Sequence, residues 1–335
     1  MRAANIKAVS SSQTMAGDLA AARRVLDSAG DAIKSLGTAL DGQFTRAVDV
    51  VMAVKGRVIV SGIGKSGLIG RKIAATLAST GTPAYFIHPA EASHGDLGGV
   101  TRDDALLILS WRGESAELSD LITHAKRFHV PLIGMASDPG STLLRAADVT
   151  LVLPKVREAC PMGLAPTTST TLMIVLGDAL AVALMERRGF SADQYRDFHP
   201  GGSLGRALIR VSDLMHKANE LPLVDEGAPL RQALAALTKY QFGCVGLTDK
   251  KGGLVGIITD GDLRRNWNRD LRNAKASELM TRDPKVARAD QLAAEAIALM
   301  NDKKITQLFV LDAKDKSKKP VGILHIHDCL RAGLR

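Results

Sequence analysis

The sequence predicts an α/β protein: a five-stranded parallel sheet flanked by helices, followed by a tandem pair of smaller α+β repeats. Three observations carry this. Between residues 58 and 153 short apolar, β-branched runs alternate with amphipathic stretches, the pattern of a parallel sheet covered on both faces. The stretch Val58-Ile59-Val60-Ser61-Gly62-Ile63-Gly64-Lys65-Ser66-Gly67 ends a strand at a serine and passes through a glycine-rich turn into a helix. Beyond residue 210 the chain repeats itself. Val211-Ser212-Asp213-Leu214-Met215 recurs as Ala276-Ser277-Glu278-Leu279-Met280, and Asp262 recurs as Asp328, at offsets of 65 and 66 residues. Such a duplicated unit reads as a pseudo-twofold pair packing its sheets together.

At 335 residues the chain exceeds one ordinary core, and two or three domains are expected. The divisions read from the pattern are a tail and helix over 1–40, the sheet domain over 41–209, and repeats over 210–272 and 273–335. Hydrophobic residues at 46% with 24% charged residues fit a soluble globular protein. Aromatics at 4% argue against a base-stacking nucleic-acid surface. The net charge of +9 suits anionic ligands, with a solvated basic surface as the plain alternative. Cys160, Cys244 and Cys329 form neither a disulfide framework nor a zinc spacing, and they fit a reducing cytoplasm. The N-terminus lacks the apolar core of a signal peptide. The most apolar region, Leu172 to Met185, is interrupted by Gly177-Asp178. It is shorter than the ~20 residues of a bilayer span, so a buried helix is expected and no membrane partner.

In chain order, residues 1–15 read as a loose polar tail. Leu19, Ala22, Val25, Leu26, Ile33 and Leu36 fall at helical spacing up to Leu40. Asp41 reads as the N-cap of a second helix through Val54. Strands are expected at Val58–Ser61, Ala84–Ile87, Ala105–Ser110, Pro131–Met135 and Val149–Leu153. Helices are expected at Ser66–Ser79, Ala116–Phe128, Ser141–Ala146 and Thr168–Arg188, with loop or a short helix over Glu91–Val100. Ligands of such sheets bind beyond the carboxyl ends of the strands, which directs attention to the loops after Val60, Ile87, Leu109 and Leu153.

The first of these loops is an anion site by its chemistry. Glycines admit a ligand to the backbone, free amides and the helix dipole favour negative charge, and Lys65 adds a cation. The G-x-G-x-x-G match calls for a ribose-binding acid at the end of the next strand. That strand ends Ile87-His88-Pro89, with Glu91 beyond the proline. A Walker loop needs a glycine where Ile59 stands. A small phosphorylated ligand remains, met by Ser61, Ser66 and the amides. The second loop, Ser110-Trp111-Arg112-Gly113-Glu114-Ser115-Ala116-Glu117, repeats the theme. Ser115 reads as a helix cap. Glu114 and Glu117 share a helical face, either as functional acids or as first-turn complements of the dipole. After the last strand, Glu158 stands at the strand mouth, where a carboxylate has little structural work, and Thr167-Thr168-Ser169-Thr170 opens a helix. His199, beside Pro200-Gly201-Gly202, is either functional or a turn residue. This set of hydroxyls, amides, lysine, carboxylates and histidines suits proton transfer between adjacent carbons of a sugar phosphate.

Residues 41–185 resemble a sugar isomerase (SIS) domain, and the two repeats resemble cystathionine-beta-synthase (CBS) repeats. The motifs Ser61-Gly62-Ile63-Gly64-Lys65-Ser66-Gly67, His88-Pro89, His94-Gly95-Asp96, Glu158-Ala159-Cys160-Pro161, Leu164-Ala165-Pro166-Thr167 and His199-Pro200-Gly201-Gly202, in this order, resemble those of the arabinose 5-phosphate isomerase family. The resemblance implies an aldose-ketose isomerase interconverting D-ribulose 5-phosphate and D-arabinose 5-phosphate through an enediol. It further implies supply of the Kdo precursor of lipopolysaccharide, a cytoplasmic homotetramer, and no cofactor. Lys65, Glu117, Glu158 and His199 match the family's catalytic set. Within it we assign Glu158 as the base, His199 to ring opening or proton shuttling, Lys65 to the enediolate, and Glu117 to orientation. Substrate contacts are expected from Ser61, Gly62, Ser66, His94, Ser110, Arg112, Ser115, Thr167 and Thr168. Arg112 departs from the family pattern, which has a serine there. It either grips the phosphate, even bidentately, or crowds the pocket, as does Trp111 if it turns inward.

In CBS repeats a Gly-x-x-Thr-x-x-Asp signature implies an adenosyl nucleotide. The first repeat keeps it as Gly256, Thr259 and Asp262, and the second has His325 in place of the hydroxyl, before Asp328. At most one good nucleotide or nucleotide-sugar site is expected, the alternative being a purely structural pair. His88, His94 and His199 can converge on an adventitious metal, which the isomerisation does not need. A rival reading, a non-catalytic sugar-phosphate-binding regulator, would call for a DNA-binding helix-turn-helix, and residues 1–40 show none.

Overall fold

The structure is a computed structural model, describing residues 11–199, 202–217, 220–268, 271–312, 315 and 317–334. Residues 1–10 of the expected tail, and Pro200-Gly201 of the histidine motif, lie outside the described residues. The chain forms two compact units, Met1–Ser191 and Ala192–Arg335.

The first unit begins with α1 (Ser11–Ala39) and α2 (Gly42–Ala53). Asp41 is the N-cap of α2, its carboxylate accepting from the Gln43 amide at 2.9 Å. Strands and helices then alternate: β1 (Val58–Gly62), α3 (Gly64–Ser79), β2 (Ala84–Ile87), α4 (Pro89–Ser93), β3 (Ala105–Leu109), α5 (Ser119–Phe128), β4 (Leu132–Ala136), α6 (Thr142–Ala146), β5 (Val149–Val152) and α7 (Thr168–Arg187). The five strands are parallel, in the order β2-β1-β3-β4-β5. From β1 the chain steps outward to β2 and returns to β3 on the other side. The switch point therefore lies between β1 and β3, where open α/β sheets bind ligands.

Period-two alternation divides the strand side chains between two cores. Val58, Val60, Leu107 and Leu109 pack with α1, α2, α3 and α7, while Ile59, Leu106 and Ile108 pack against Leu118, Leu121 and Ala125 on the other face. Helix α7 is long and apolar enough to cross a membrane by composition. Here it is a core helix, burying Leu172, Met173, Leu176, Leu180 and Leu184. Gly177 lets it close on α3, since a Cβ there would meet Ile73 Cδ1 at 2.3 Å.

The second unit contains α8 (Ala192–Phe198), α9 (Ser203–Ala207), α10 (Val211–Leu214), β6 (His216–Lys217), β7 (Leu223–Asp225), α11 (Leu230–Tyr240), β8 (Cys244–Thr248), β9 (Leu254–Thr259) and α12 (Asp260–Arg265). It continues through β10 (Thr281–Arg282), β11 (Val286–Arg288), α13 (Ala293–Lys303), β12 (Gln307–Leu311), β13 (Pro320–His325) and α14 (Ile326–Arg331). Residues 192–209, assigned from the sequence to the sheet domain, cluster with the repeats. Asp193 and Arg196 on α8 pair with Arg210 and Asp213.

The two sheets of this unit run β10-β9-β8-β7 and β11-β12-β13-β6. Each repeat lends its first short strand to the other's sheet: β6 pairs with β13, and β10 with β9. The recurring residues explain the exchange. A Cβ at Gly256 would meet Met280 Sδ at 2.4 Å, and one at Gly322 would meet Met215 Sδ at 2.5 Å. Each glycine of one repeat thus seats the methionine that opens the other.

Candidate active site

A cavity of about 460 Å³ opens at the switch point, lined from α3 by Ser66, from the loop after β3 by Ser110, Arg112 and Ser115, and from the loop after β5 by Glu158 and Ser169. Its size falls within the ~300–1,000 Å³ of small-molecule sites.

The glycine turn works by close approach. A Cβ at Gly67 would lie 2.5 Å from the Gly62 carbonyl oxygen, and one at Gly62 would lie 2.9 Å from the Leu109 carbonyl oxygen. The first turn of α3 can therefore rest on the end of β1, which sets Ser66 in the cavity wall. Gly64 has φ +58°, a conformation that favours glycine. Two expected substrate contacts are corrected here. Ser61 is fully buried and donates to the Ile87 carbonyl at 2.8 Å. Gly62 is likewise buried in the β1–β3–α3 packing. Lys65 is exposed on the first turn of α3 and is not part of the cavity lining.

In the second loop Ser110 is buried, its hydroxyl 3.1 Å from that of Ser115 and accepting from the Gly113 amide at 3.2 Å. Gly113 has φ +71°, and a Cβ there would strike Ser141 Oγ at 2.2 Å, so the loop is pressed onto the start of α6. Ser115 occupies an N-cap position but makes no capping bond, contrary to expectation, because its hydroxyl faces Ser110. Glu114 precedes the 3-10 turn Ala116–Leu118 and does not share its face with Glu117. Its carboxylate accepts from the Thr142 amide at 2.7 Å and hydroxyl at 2.8 Å, and these bonds hold it below the ordinary glutamate range. Glu117 is exposed and outside the cavity lining. Arg112 is exposed at the rim, and Trp111 lines the cavity with part of its surface on the core.

The third loop corrects the view that Glu158 has little structural work. Glu158 Oε2 accepts from the Thr167 amide at 2.7 Å, the Thr167 hydroxyl at 3.0 Å and the Ser169 amide at 3.3 Å. It thereby satisfies the orphan donors at the start of α7. Partial burial raises its pKa, but the Ser169 and Thr167 bonds outweigh this, and the net shift is downward. These three bonds all fall on Oε2, and the Ser169 side chain also bonds the carboxylate.

Of the hydroxyl run, Ser169 and Thr170 line the cavity, whereas the expected Thr167 and Thr168 do not. Thr167 Oγ1 is spent on Glu158 and the Ala159 amide. Thr168 is buried, with no partner for its hydroxyl. The signal for Ser169 and Thr170 was present as helical phase, since a helix that buries Leu172, Met173 and Leu176 turns a defined side of its first turn to the sheet end.

His94 is an exposed C-cap of α4 rather than a cavity residue. His88 caps the same helix, Nδ1 accepting from the Ala90 amide at 3.2 Å. Among the described residues no three His, Cys, Asp or Glu side chains gather as a metal site requires, and the histidine triad expected from the sequence is withdrawn. In the second unit His199 stacks on Tyr195, ring centroids 4.0 Å apart, with Nδ1 2.8 Å from the Tyr195 carbonyl. A carbonyl only accepts, so Nδ1 is the donor in that bond.

A separate cavity in the second unit has Thr259, Asp260, Arg264, Lys304, His325 and His327 in its lining, two cations and one acid among otherwise uncharged or histidine side chains. Thr259 and Asp262 form a capping box at the start of α12. His325 takes the same place in the second repeat, its Nδ1 accepting from the His327 amide at 3.2 Å. Asp262 is paired with Arg265, and Asp328 with His216 and Arg331. Neither aspartate lines the cavity.

A parallel sheet with a hydroxyl-lined cleft at its switch point, walled by the carboxylates of Glu114 and Glu158 and joined to a strand-exchanged repeat pair, is the architecture of an SIS protein with CBS repeats. The SIS domain model matches residues 52–183, and the CBS domain model matches residues 211–268 and 276–335. The chain belongs to the arabinose 5-phosphate isomerase KdsD family. It is 49% identical over 316 residues to arabinose 5-phosphate isomerase KdsD of Pseudomonas aeruginosa, covering 93% of this chain and 96% of that protein. The KdsD of Escherichia coli K12 is 46% identical over 317 residues, 94% of this chain and 95% of its own. Among solved structures, an E. coli CFT073 protein in complex with arabinose 5-phosphate is 34% identical, with a TM-score of 0.53 over 57% of this chain and 100% of its own.

Proposed function

We propose that this protein is an aldose-ketose isomerase interconverting D-arabinose 5-phosphate and D-ribulose 5-phosphate, the former being the Kdo precursor. The observation that carries the reading is Glu158: a carboxylate in the switch-point cavity, favoured in its ionised form by the hydrogen bonds it accepts, in a chain of the KdsD family. Ser66, Ser110, Ser115 and Ser169, with the adjoining helix N-termini, receive the phosphate. Glu158 takes the C2 proton of the aldose, and negative charge moves onto O1. Lys65, swinging from the first turn of α3, neutralises that charge, and Glu117 orients it. A proton passes from O2 to O1, a step we assign to His199 of a neighbouring copy of the chain, and the proton held by Glu158 returns to C1. Protons balance, and no cofactor enters. The test is incubation with arabinose 5-phosphate without nicotinamide; failure to form the ketose would sink the enzyme reading in favour of a sugar-phosphate sensor.

Arg112 tunes phosphate affinity. Arg112→Ser should raise KM several-fold with kcat nearly unchanged, because the contact serves ground and transition states alike. An unchanged KM would mean that Arg112 points away from the substrate.

The subunit contact of a homotetramer is proposed on α1. Leu19, Leu26 and Ile33 fall seven residues apart, interleaved by Met15, Ala22 and Ala29, and the larger ones are exposed, Leu26 at 69%. That is a heptad seam wanting a partner helix, here another copy of the chain. The double variant Leu19→Glu/Leu26→Glu should lower the mass seen by light scattering without unfolding the monomer. The second unit's cavity, with Arg264, Lys304 and Thr259 in its wall, fits a nucleotide or nucleotide-sugar effector, and three unpaired cysteines suit the cytoplasm.

A further inference from the structure

The loop between Glu158 and α7 is built around a sulfur atom. The amides of Leu164 and Ala165 both donate to Cys160 Sγ, each at 3.1 Å. The Gly163 amide donates to the Cys160 carbonyl at 2.9 Å, and Gly163 takes φ +66° to make the turn. The loop is clasped at its base by Glu158, Ala159 and Thr167. Gly163, Leu164 and Pro166 line the same cavity as Glu158. Nothing else described fixes the tip: Met162 and Leu164 are each 75% exposed, so apolar burial does not hold it.

We propose that Cys160 is a positioning residue for the isomerisation: its sulfur, by gathering the loop amides, holds the cavity rim and sets the Glu158–Thr167 clasp. This rests on the function proposed above. The acceptor is strongest as a thiolate, because hydrogen bonds to an ionised acceptor are about twice as strong as neutral ones. The surroundings favour that form. Ala165 gives the largest downward push on the thiol's pKa; burial opposes it as the next largest effect, and the Leu164, Met162 and Gly163 amides bring the net shift down. The other two cysteines contrast with it. Burial raises Cys244 to about 12 and Cys329 to about 11, and both lie in cores. An alkylating reagent should therefore find one thiol.

The test has an arm that needs activity and an arm that does not. With turnover of arabinose 5-phosphate established for the wild type, Cys160→Ala should lower kcat about tenfold or more with a smaller change in KM. The acid limb of kcat/KM should also move upward in pH, because a loosened clasp releases Glu158 toward its ordinary value. Cys160→Ser, which keeps an acceptor, should recover most of the loss. Unchanged kinetics and an unchanged pH profile in Cys160→Ala would overturn the proposal. The second arm is limited trypsinolysis at the bond that follows the exposed Arg157. Cleavage there should be at least severalfold faster in Cys160→Ala and in iodoacetamide-treated wild type than in the untreated protein. Equal cleavage rates would reject the positioning role even if the wild type proved to have no isomerase activity, whereas absent turnover with accelerated cleavage would reject only the function.

Discussion

Glu158→Gln is expected to reduce kcat by about 10²–10⁴-fold, the usual worth of a general base, while arabinose 5-phosphate still binds with near wild-type affinity by calorimetry. The amide oxygen of glutamine can still accept from the Thr167 amide, so the start of α7 keeps a cap and the melting temperature should move little. Glu158→Ala separates the two roles. It removes base and cap together, and loss of a cap costs about 0.5–2 kcal/mol. The lowered pKa of Glu158 gives this pair a pH signature. A carboxylate depressed by folding contributes stability above its unfolded pKa, near the ordinary 4.5, and that contribution is lost as pH falls through the lower folded value. The stability gap between wild type and Glu158→Ala should thus be full at neutral pH and shrink in acid below 4.5. The acid limb of kcat/KM should likewise lie below that ordinary value. Retained turnover in Glu158→Gln would remove Glu158 as the base and leave it as a helix cap.

That carboxylate also marks where the sequence stops being legible. The five strands, their alternating burial and the cap at Asp41 follow from local pattern, because a β-branched run or an Asx cap is decided within a few residues. The repeat pair was legible as self-similarity, but the exchange of first strands was not, since it depends on Met215 and Met280 finding glycines in the opposite repeat. At the site, residue type was readable and direction was not. Ser61 and Ser66 flank the same turn, yet Ser61 turns into the sheet toward Ile87 while Ser66 reaches the cavity. Thr167 and Thr168 are taken up in the fold, whereas Ser169, itself buried, and Thr170 line the cavity. Each of these outcomes rests on helical phase or a contact across the chain, which composition does not encode. Glu114 is the same case: its partner, Thr142, is 28 residues away.

Gly67→Ala should be a strongly damaging single-methyl change near the cavity. Its Cβ would stand 2.5 Å from the Gly62 carbonyl oxygen and 3.1 Å from the Gly62 carbonyl carbon. Both atoms belong to the backbone at the end of β1, which is held by β2 on one side and β3 on the other. The sheet cannot give, so α3 must move outward. Overpacking of this kind costs about 1–3 kcal/mol, and the displacement carries Ser66 and Lys65 with it. Denaturant unfolding should show the stability loss, and KM for the sugar phosphate should rise about tenfold or more. Gly64→Ala provides the contrast. Gly64 has φ +58°, but a methyl group added there would have no atom within 4 Å. The cost is then the roughly 1–2 kcal/mol of a left-handed alanine, with α3 left in place and KM little changed. If Gly67→Ala matched wild type in both stability and KM, the turn would not be built on close approach. Equal effects of the two substitutions on KM would instead make backbone conformation, rather than the seating of α3 on β1, the reason this turn is rich in glycine.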